Sequence, residues 1–225
     1  MKATMPARYA VYWAPEESHP LWSAGCDWLG SDLEAAARAH TDQPRRYGFH
    51  ATLKPPCRLA EGTTEGEFLD AVHALARTPK FAMPPLVVGW LGGFLALRPG
   101  EPVALSHPLR RMADCCVAEL DRYRRPVGPA ELAQRLEQQG LDAAQRELTQ
   151  RWGYPHVFDH WRFHMTLTRQ LGSIDIHERD RLAHEAATHF SHALAQPLEF
   201  ASLCVFVEPV PQANFVLAHR FALAR

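Results

Sequence analysis

Phe49-His50-Ala51-Thr52-Leu53 reads FHATL, and the pattern returns as FHMTL at Phe163–Leu167, in a chain of 225 residues. In an extended strand, side chains at i and i+2 share a face, so His50 and Thr52 project together while Ala51 turns away. His164 and Thr166 do the same, with Met165 turned away. Two such strands brought side by side would place two imidazoles and two hydroxyls in one cleft. One imidazole can then take a proton while the other gives one.

The segments around each copy follow a common order. Arg8–Trp13 (RYAVYW) is rich in aromatic and β-branched residues and reads as a strand. Glu16 to about His40 reads as a helix, with Leu21, Trp22, Leu29 and Leu33 apolar and the run Leu33-Glu-Ala-Ala-Ala-Arg in its second half. Gly25 and Gly30 weaken its first half. A polar loop containing Pro44 leads to the first motif strand, Phe49–Leu53, which Pro55–Pro56 should stop. A helix from about Thr64 to Ala76 follows, then strands at Leu86–Val88 and Phe94–Leu97 joined through Gly92–Gly93. The second half opens with a helix from Pro108 to about Tyr123, its buried stripe being Leu109, Met112, Cys116, Val117 and Leu120. Pro129–Arg151 reads as a helical pair broken near Gly140, and Arg162–Thr168 as the second motif strand. A helix over Asp175–Leu194 and strands at Glu199–Phe206 and Phe215–Leu223 end the chain.

Each half therefore runs motif strand, helix, strand, strand. The fold class this predicts is α+β: a bilobal, pseudo-twofold pair of β-α-β-β (ferredoxin-like) lobes whose antiparallel sheets face a central cleft. The lobes should fall at about residues 1–105 and 106–225 of a single domain. The helical pair at 129–151 has no counterpart in the first half and looks like an insertion that could cover the cleft.

Composition narrows the function classes. A formal net charge of −1 gives no broadly basic surface for a long nucleic acid. No apolar run reaches the length of about 18 residues that a transmembrane helix needs, and the first residues lack the apolar core of a signal peptide. The five cysteines, Cys26, Cys57, Cys115, Cys116 and Cys204, show no CxxC spacing, so neither a disulfide framework nor a zinc site is indicated. A reducing cytoplasm is the expected setting. Cys115–Cys116 reads as packing, and His184, His189 and His192 as solvated residues of a helix.

One HxT means little, but a doubled Phe-His-x-Thr-Leu is specific. Hydrolysis of a cyclic phosphate needs a base to activate water and an acid to protonate the leaving alkoxide. Histidine, with an ordinary pKa of about 6.5, suits both tasks. Threonine hydroxyls can donate to the non-bridging phosphoryl oxygens where charge gathers.

FHATL and FHMTL, at this separation and in this α+β order, resemble the 2H phosphoesterase superfamily. YGFHATLKPP and WRFHMTLTR are most similar to its branch found beside bacterial phosphonate-degradation genes. The resemblance spans essentially the whole chain. It implies a bilobal fold, no metal or other cofactor, and action on 2′,3′-cyclic or related phosphodiesters. Its two HxT motifs map onto His50 with Thr52 and His164 with Thr166. The implied partner is a small phosphorylated substrate from phosphonate breakdown, with short RNA ends as the alternative. No membrane and no obligate protein partner is indicated.

Four flanking residues are secondary candidates for substrate binding. Lys54 shares the face of His50 if the strand stays regular, although a solvated charge is the simpler reading. Arg169 lies just past the second motif at an odd spacing. Tyr12 and Tyr47 could stack on a base or sugar, or belong to the core. Two rival readings remain. His156, His160 and His164, with Asp159, would make a metal site if helical, but Pro155 and the apolar groups around it point to a loop entering a strand. A phosphate-binding module without turnover needs no acid/base pair, and Arg122, Arg124 and Arg125 read more simply as a solvated helix end than as an RNA patch.

Overall fold

A computed structural model describes residues 7–30, 35–138 and 140–225. In chain order, the elements are β1 (Arg8–Trp13), α1 (Pro20–Leu29), α2 (Ala35–Arg45), β2 (Ala51–Cys57), α3 (Glu65–Leu75), β3 (Phe81–Ala82), β4 (Leu86–Leu91) and β5 (Phe94–Pro99). There follow α4 (Pro108–Glu119), α5 (Pro129–Leu136), α6 (Ala143–Trp152), β6 (Met165–Thr166), α7 (Ile176–Leu194), β7 (Glu199–Phe200), β8 (Ser202–Glu208) and β9 (Val216–Ala222). The α+β class and the repeated order hold: β2-α3-β3-β4-β5 is matched by β6-α7-β7-β8-β9.

The strands form a seven-stranded antiparallel sheet in the order β4-β5-β6-β2-β1-β8-β9, beside a two-stranded β3-β7 sheet. At its middle the two motif strands meet through one residue pair, Ala51 with Met165. That seam divides the sheet into a three-stranded and a four-stranded half. The hairpin β4–β5 follows β2 in the chain but docks on β6, while β8–β9 follows β6 and reaches β2 through β1. Dividing the chain near residue 105 thus separates the two repeats, but not the two half-sheets. Each half-sheet is built from both halves of the chain.

Alternation sorts the side chains. Phe49, Ala51, Leu53, Phe163, Met165 and Leu167 are all buried in the main core, which α1, α3, α4 and α7 cover. Along β1, Val11 and Trp13 enter that core, while Ala10 and Tyr12 face a smaller one with Phe206 and Phe215 on the opposite side of the sheet.

Several boundaries differ from the sequence expectation, each for a local reason. The helix expected over Glu16–His40 is two helices, α1 and α2, the second beginning at Ala35 in the alanine run; Leu33 lies outside the described residues. Pro44 sits in the last turn of α2 rather than in a loop. A proline there cannot bond back to the carbonyl four residues earlier, and that carbonyl, of His40, instead accepts the Arg169 backbone N–H at 2.7 Å. Strand β2 runs through Pro55 and Pro56 to Cys57. The β1–β2 register shifts between Tyr9 and Val11, so the prolines fall at a bulge. Strand β6 is shorter than expected: past it, the Leu167 N–H still donates to the Leu95 carbonyl at 2.8 Å, but the Leu95 N–H is taken by the Thr168 side chain, at 3.0 Å from Oγ1.

The structure also exposes a second repeat. Ser-His-Pro-Leu occurs at 18–21 and at 106–109, and each copy starts a helix. In each, the His Nδ1 accepts the backbone N–H of the leucine two residues on, at 3.0 Å from Leu21 and 3.1 Å from Leu109. Proline occupies the first helical position, where its missing N–H costs nothing.

Gly25, in the middle of α1, is where Phe49 of the first motif packs. A Cβ at residue 25 would overlap the Phe49 ring, so the helix accepts a poor helix former to admit the motif's aromatic anchor. Gly25→Ala should therefore destabilise the protein by about 1–3 kcal/mol despite alanine's better helix propensity. Urea unfolding is the test; a stabilised variant would contradict the packing described.

Candidate active site

The antiparallel register through Ala51 and Met165 sets His50 opposite Thr166 and Thr52 opposite His164. All four side chains line one cleft of about 460 Å³ on the face away from the main core. In such a register the two histidines are diagonal neighbours, with Cβ atoms about 7 Å apart. That spacing suits one phosphoryl group held between two imidazoles.

Both rings are held alike. His50 Nδ1 lies 2.9 Å from the Gly48 carbonyl and His164 Nδ1 lies 2.8 Å from the Arg162 carbonyl, each two residues back. A carbonyl only accepts, so each Nδ1 carries the hydrogen and each neutral Nε2 is left with a free lone pair. In the first motif the Thr52 hydroxyl lies 3.3 Å from that nitrogen and donates to it. The turn that presents the first carbonyl requires Gly48, whose φ is 74°. The motif backbones are held by two indoles: Trp161 Nε1 donates to the Thr52 carbonyl at 2.9 Å, and Trp28 Nε1 to the Leu167 carbonyl at 3.0 Å.

The two histidines differ in what flanks them. Tyr12, paired in register with Thr52, stacks on His50 with ring centroids 3.7 Å apart and planes 19° apart. Beside His164 lies a tilted Phe94 ring, with centroids 5.6 Å apart. Burial disfavours the imidazolium at both sites and lowers both pKa values. At His50 the neighbouring His164 adds to the effect of burial, the Gly48 carbonyl offsets part of it, and the value falls to about 4. Burial also holds the Tyr12 phenol well above its ordinary range, so it remains neutral.

Of the four flanking candidates, two line the cleft. Tyr12 is the plate under His50, and Tyr47 lies 6.4 Å from that ring, stacked on Phe215. Lys54 is not solvated: it is 3% exposed, donates to the Val117 carbonyl at 3.3 Å and lies 3.9 Å from Asp121. It lines an adjoining cavity, not the histidine cleft. Arg169 is directed to Asp42 at 3.6 Å and is not among the lining residues.

Sequence reasoning missed Arg8, Phe94, Arg135, Gln138, Tyr154 and Gln170, all of which line the cleft. Arg8 was accessible to it, being on the face of Tyr12 in a regular strand. It is held there by Glu208, which is 2% exposed and also accepts from Arg46. Burial alone would raise the Glu208 pKa, but the hydrogen bonds from the two arginines outweigh it and the carboxyl titrates below its ordinary range. Arg135 and Gln138 come from the helical insertion and Tyr154 from the loop after it; all three line the cleft.

The metal arrangement at His156, His160 and His164 would need one helical face. The segment is instead a loop with a single 3₁₀ turn at Phe158–His160. Among the described residues no group of three or more histidine, cysteine or acidic side chains is placed to hold a metal, and no helix is long and apolar enough to cross a membrane.

Comparison with known proteins finds relatives of the chain. A family model described as Protein of unknown function (DUF1045) matches residues 52–216. The protein named ribose 1,5-bisphosphate phosphokinase PhnN of Laribacter hongkongensis (strain HLHK9) is 40% identical over 226 residues, covering 93% of this chain and 50% of that protein. The protein of the same name from Janthinobacterium sp. (strain Marseille) is 36% identical, covering 93% and 49%. The chain thus spans about half the length of the curated relatives it matches. Among solved structures, E. coli LigT complexed with 3'-AMP aligns over 98% of this chain and 99% of its own at 15% identity and a TM-score of 0.47. A structure described as a phosphoesterase aligns over the same shares at 13% identity and a TM-score of 0.46.

The depressed His50 pKa has a thermodynamic consequence. The unfolded chain binds a proton at residue 50 near pH 6.5, and the folded protein only near pH 4. Its contribution to stability is therefore full above about pH 6.5 and is lost as pH falls towards 4. Urea unfolding of the wild type and of His50→Gln at several pH values isolates it. The stability difference between the two should shift in favour of the variant as pH drops through that window; a pH-independent difference would contradict the burial.

Proposed function

The chain belongs to the DUF1045 family, and we propose that it is a phosphoesterase that hydrolyses a cyclic phosphodiester with two histidines as acid and base. The observation that carries this reading is the meeting of the two HxT motifs in one cleft, with both Nδ1 atoms held by backbone carbonyls so that both Nε2 atoms are the acceptor nitrogens.

In the proposed reaction the phosphorus lies between the two rings. His50, whose pKa of about 4 leaves it neutral at neutral pH, takes a proton from water through Nε2 as the water oxygen attacks phosphorus. The bond from phosphorus to the leaving alkoxide breaks, and the Nε2–H of a protonated His164 gives its proton to that oxygen. The product is a phosphomonoester. Thr52 and Thr166 donate to the non-bridging oxygens, where charge rises in the transition state. Before substrate arrives, the Thr52 hydroxyl is bound to the His50 nitrogen; a phosphate oxygen then takes its place. Arg8 and Arg135 add positive charge at the cleft wall.

The substrate class we assign is a small sugar or nucleotide cyclic phosphate. The link to phosphonate breakdown rests on the motif resemblance, and the curated relatives' name, which concerns a ribose bisphosphate, fits a sugar phosphate substrate. Their kinase activity is not carried over, because this chain covers only about half of each.

Two outcomes test the reading on a panel of 2′,3′-cyclic nucleotides and cyclic sugar phosphates. His50→Ala and His164→Ala should each lower kcat by about 100-fold or more, the usual contribution of one acid or base. For the wild type, kcat/KM should fall as pH rises through the depressed range of His164, below 6.5, because the free enzyme then loses its acid. The corresponding fall in kcat should come at higher pH, since a bound phosphate anion favours the imidazolium. Turnover that ignores both substitutions, or rises steadily with pH, would refute the assignment.

A further inference from the structure

Beside the histidine cleft lies a second cavity of about 560 Å³, and the two share Arg8, Pro55, Pro56 and Arg135 along their common wall. Its lining carries six cationic side chains, Arg8, Lys54, Arg58, Arg124, Arg125 and Arg135, and one carboxylate, Glu131. The chain as a whole has a net charge of −1, so this concentration is local and not an echo of composition.

The fold builds the concentration from distant segments. Residues just past the first motif strand pair with those just past α4: Leu59 bridges Arg124, Arg125 N–H donates to the Arg58 carbonyl at 2.8 Å, and Ala60 N–H donates to the Tyr123 carbonyl at 2.8 Å. That pairing brings Arg58, Arg124 and Arg125 to one wall. The helical insertion supplies Arg135 and Glu131 to another.

Counter-charges satisfy only part of the set. Arg124 pairs with Asp121 at 2.7 Å, Arg135 with Glu131 at 2.6 Å, and Arg8 with Glu208. Lys54 shares Asp121 at the longer distance of 3.9 Å and is 3% exposed, with the Val117 carbonyl as its one hydrogen-bond acceptor among the described residues. An ammonium has three donors. Among the described residues no carboxylate pairs with Arg58 or Arg125, and the buried Arg58 Nε has no hydrogen-bond partner. A buried guanidinium nitrogen and a buried ammonium without full partners are costly unless an anion completes them. A phosphate offers several acceptor oxygens in the geometry that arginine forks match.

We propose that this cavity is a phosphate subsite, so that the substrate carries a second, terminal phosphate besides the cyclic one held between His50 and His164. The inference rests on reading the cleft as a phosphoesterase site, and it narrows the substrate to a doubly phosphorylated small molecule. A terminal phosphomonoester bears nearly two negative charges at neutral pH, which matches a lining with more cations than carboxylates. Gly128, Trp152 and Gly153, which flank the insertion in the chain, line one side of the cavity.

The test measures binding and needs no turnover, so it stands or falls apart from the reaction. Calorimetric titration compares adenosine 2′,5′-bisphosphate, adenosine 2′-phosphate and a short RNA ending in a 2′-phosphate, at one fixed salt concentration. The wild type should bind the bisphosphate at least about tenfold more tightly than the monophosphate, the scale of one charge-assisted hydrogen bond. In Arg58→Ala/Arg125→Ala that ratio should fall to near one, and Arg58→Gln/Arg125→Gln, which keeps side-chain bulk, should behave alike. Equal affinities in the wild type, no binding of either nucleotide, or a preference that survives both variants would overturn the subsite. Tighter binding of the RNA than of the bisphosphate would overturn the small-molecule assignment in favour of a strand. Cyclic phosphates that bind but are never hydrolysed would sink the reaction while leaving the subsite standing.

Discussion

One residue pair holds the site together. Ala51 and Met165, the residues of the two motifs that turn away from the cleft, face each other at the seam of the sheet. Antiparallel pairing then leaves no choice for their neighbours, because a strand's side chains alternate and a slip of one residue would send every histidine and threonine to the core. Around that seam the molecule is arranged to keep the register. Phe49, Leu53, Phe163 and Leu167 anchor the motifs from the core side, the indoles of Trp161 and Trp28 grip their carbonyls, and Gly25 makes room for Phe49. The exchange of hairpins between the half-sheets adds to this, since neither motif strand can complete its sheet without the other half of the chain.

The same construction sets the chemistry. Burying a histidine beside the strand seam disfavours its charged form, and a second histidine across the seam disfavours it further. The result is a pair that does not carry two protons at once near neutrality. An acid/base pair needs that condition, one member neutral and the other protonated, and the different flanks of the two rings break their symmetry. Carbonyls two residues back fix both tautomers, so the nitrogens that the proposed reaction uses are set by the backbone.

Much of this was legible in the sequence because it is local and periodic. The i, i+2 alternation of FHxTL states which side chains share a face, and the doubled strand-helix-strand-strand order states that the halves are related. What was not legible depends on contacts between distant segments. Pro55 and Pro56 read as a stop, yet β2 passes through them because a bulge against β1 absorbs the lost donors. Lys54 read as a solvated charge, yet α4 and the turn after it close over the side chain. The wall supplied by Arg135 and Tyr154 has no periodic signature, since it depends on where the insertion and the loop after it dock. The repeated Ser-His-Pro-Leu is a different case: it is plain in the sequence, and its meaning as a paired helix start emerges only when both imidazoles are seen accepting the backbone N–H of the following leucine.

The central claim is that the two motifs form one reaction centre and not two separate phosphate contacts. The most direct measurement is a double-mutant cycle in kcat, combining His50→Ala with His164→Ala on whichever cyclic phosphate the wild type turns over fastest. Groups that act as one unit are strongly non-additive, so the double variant should lose little more activity than the worse single variant. Losses that multiply, or a double variant with near-normal turnover, would contradict the account.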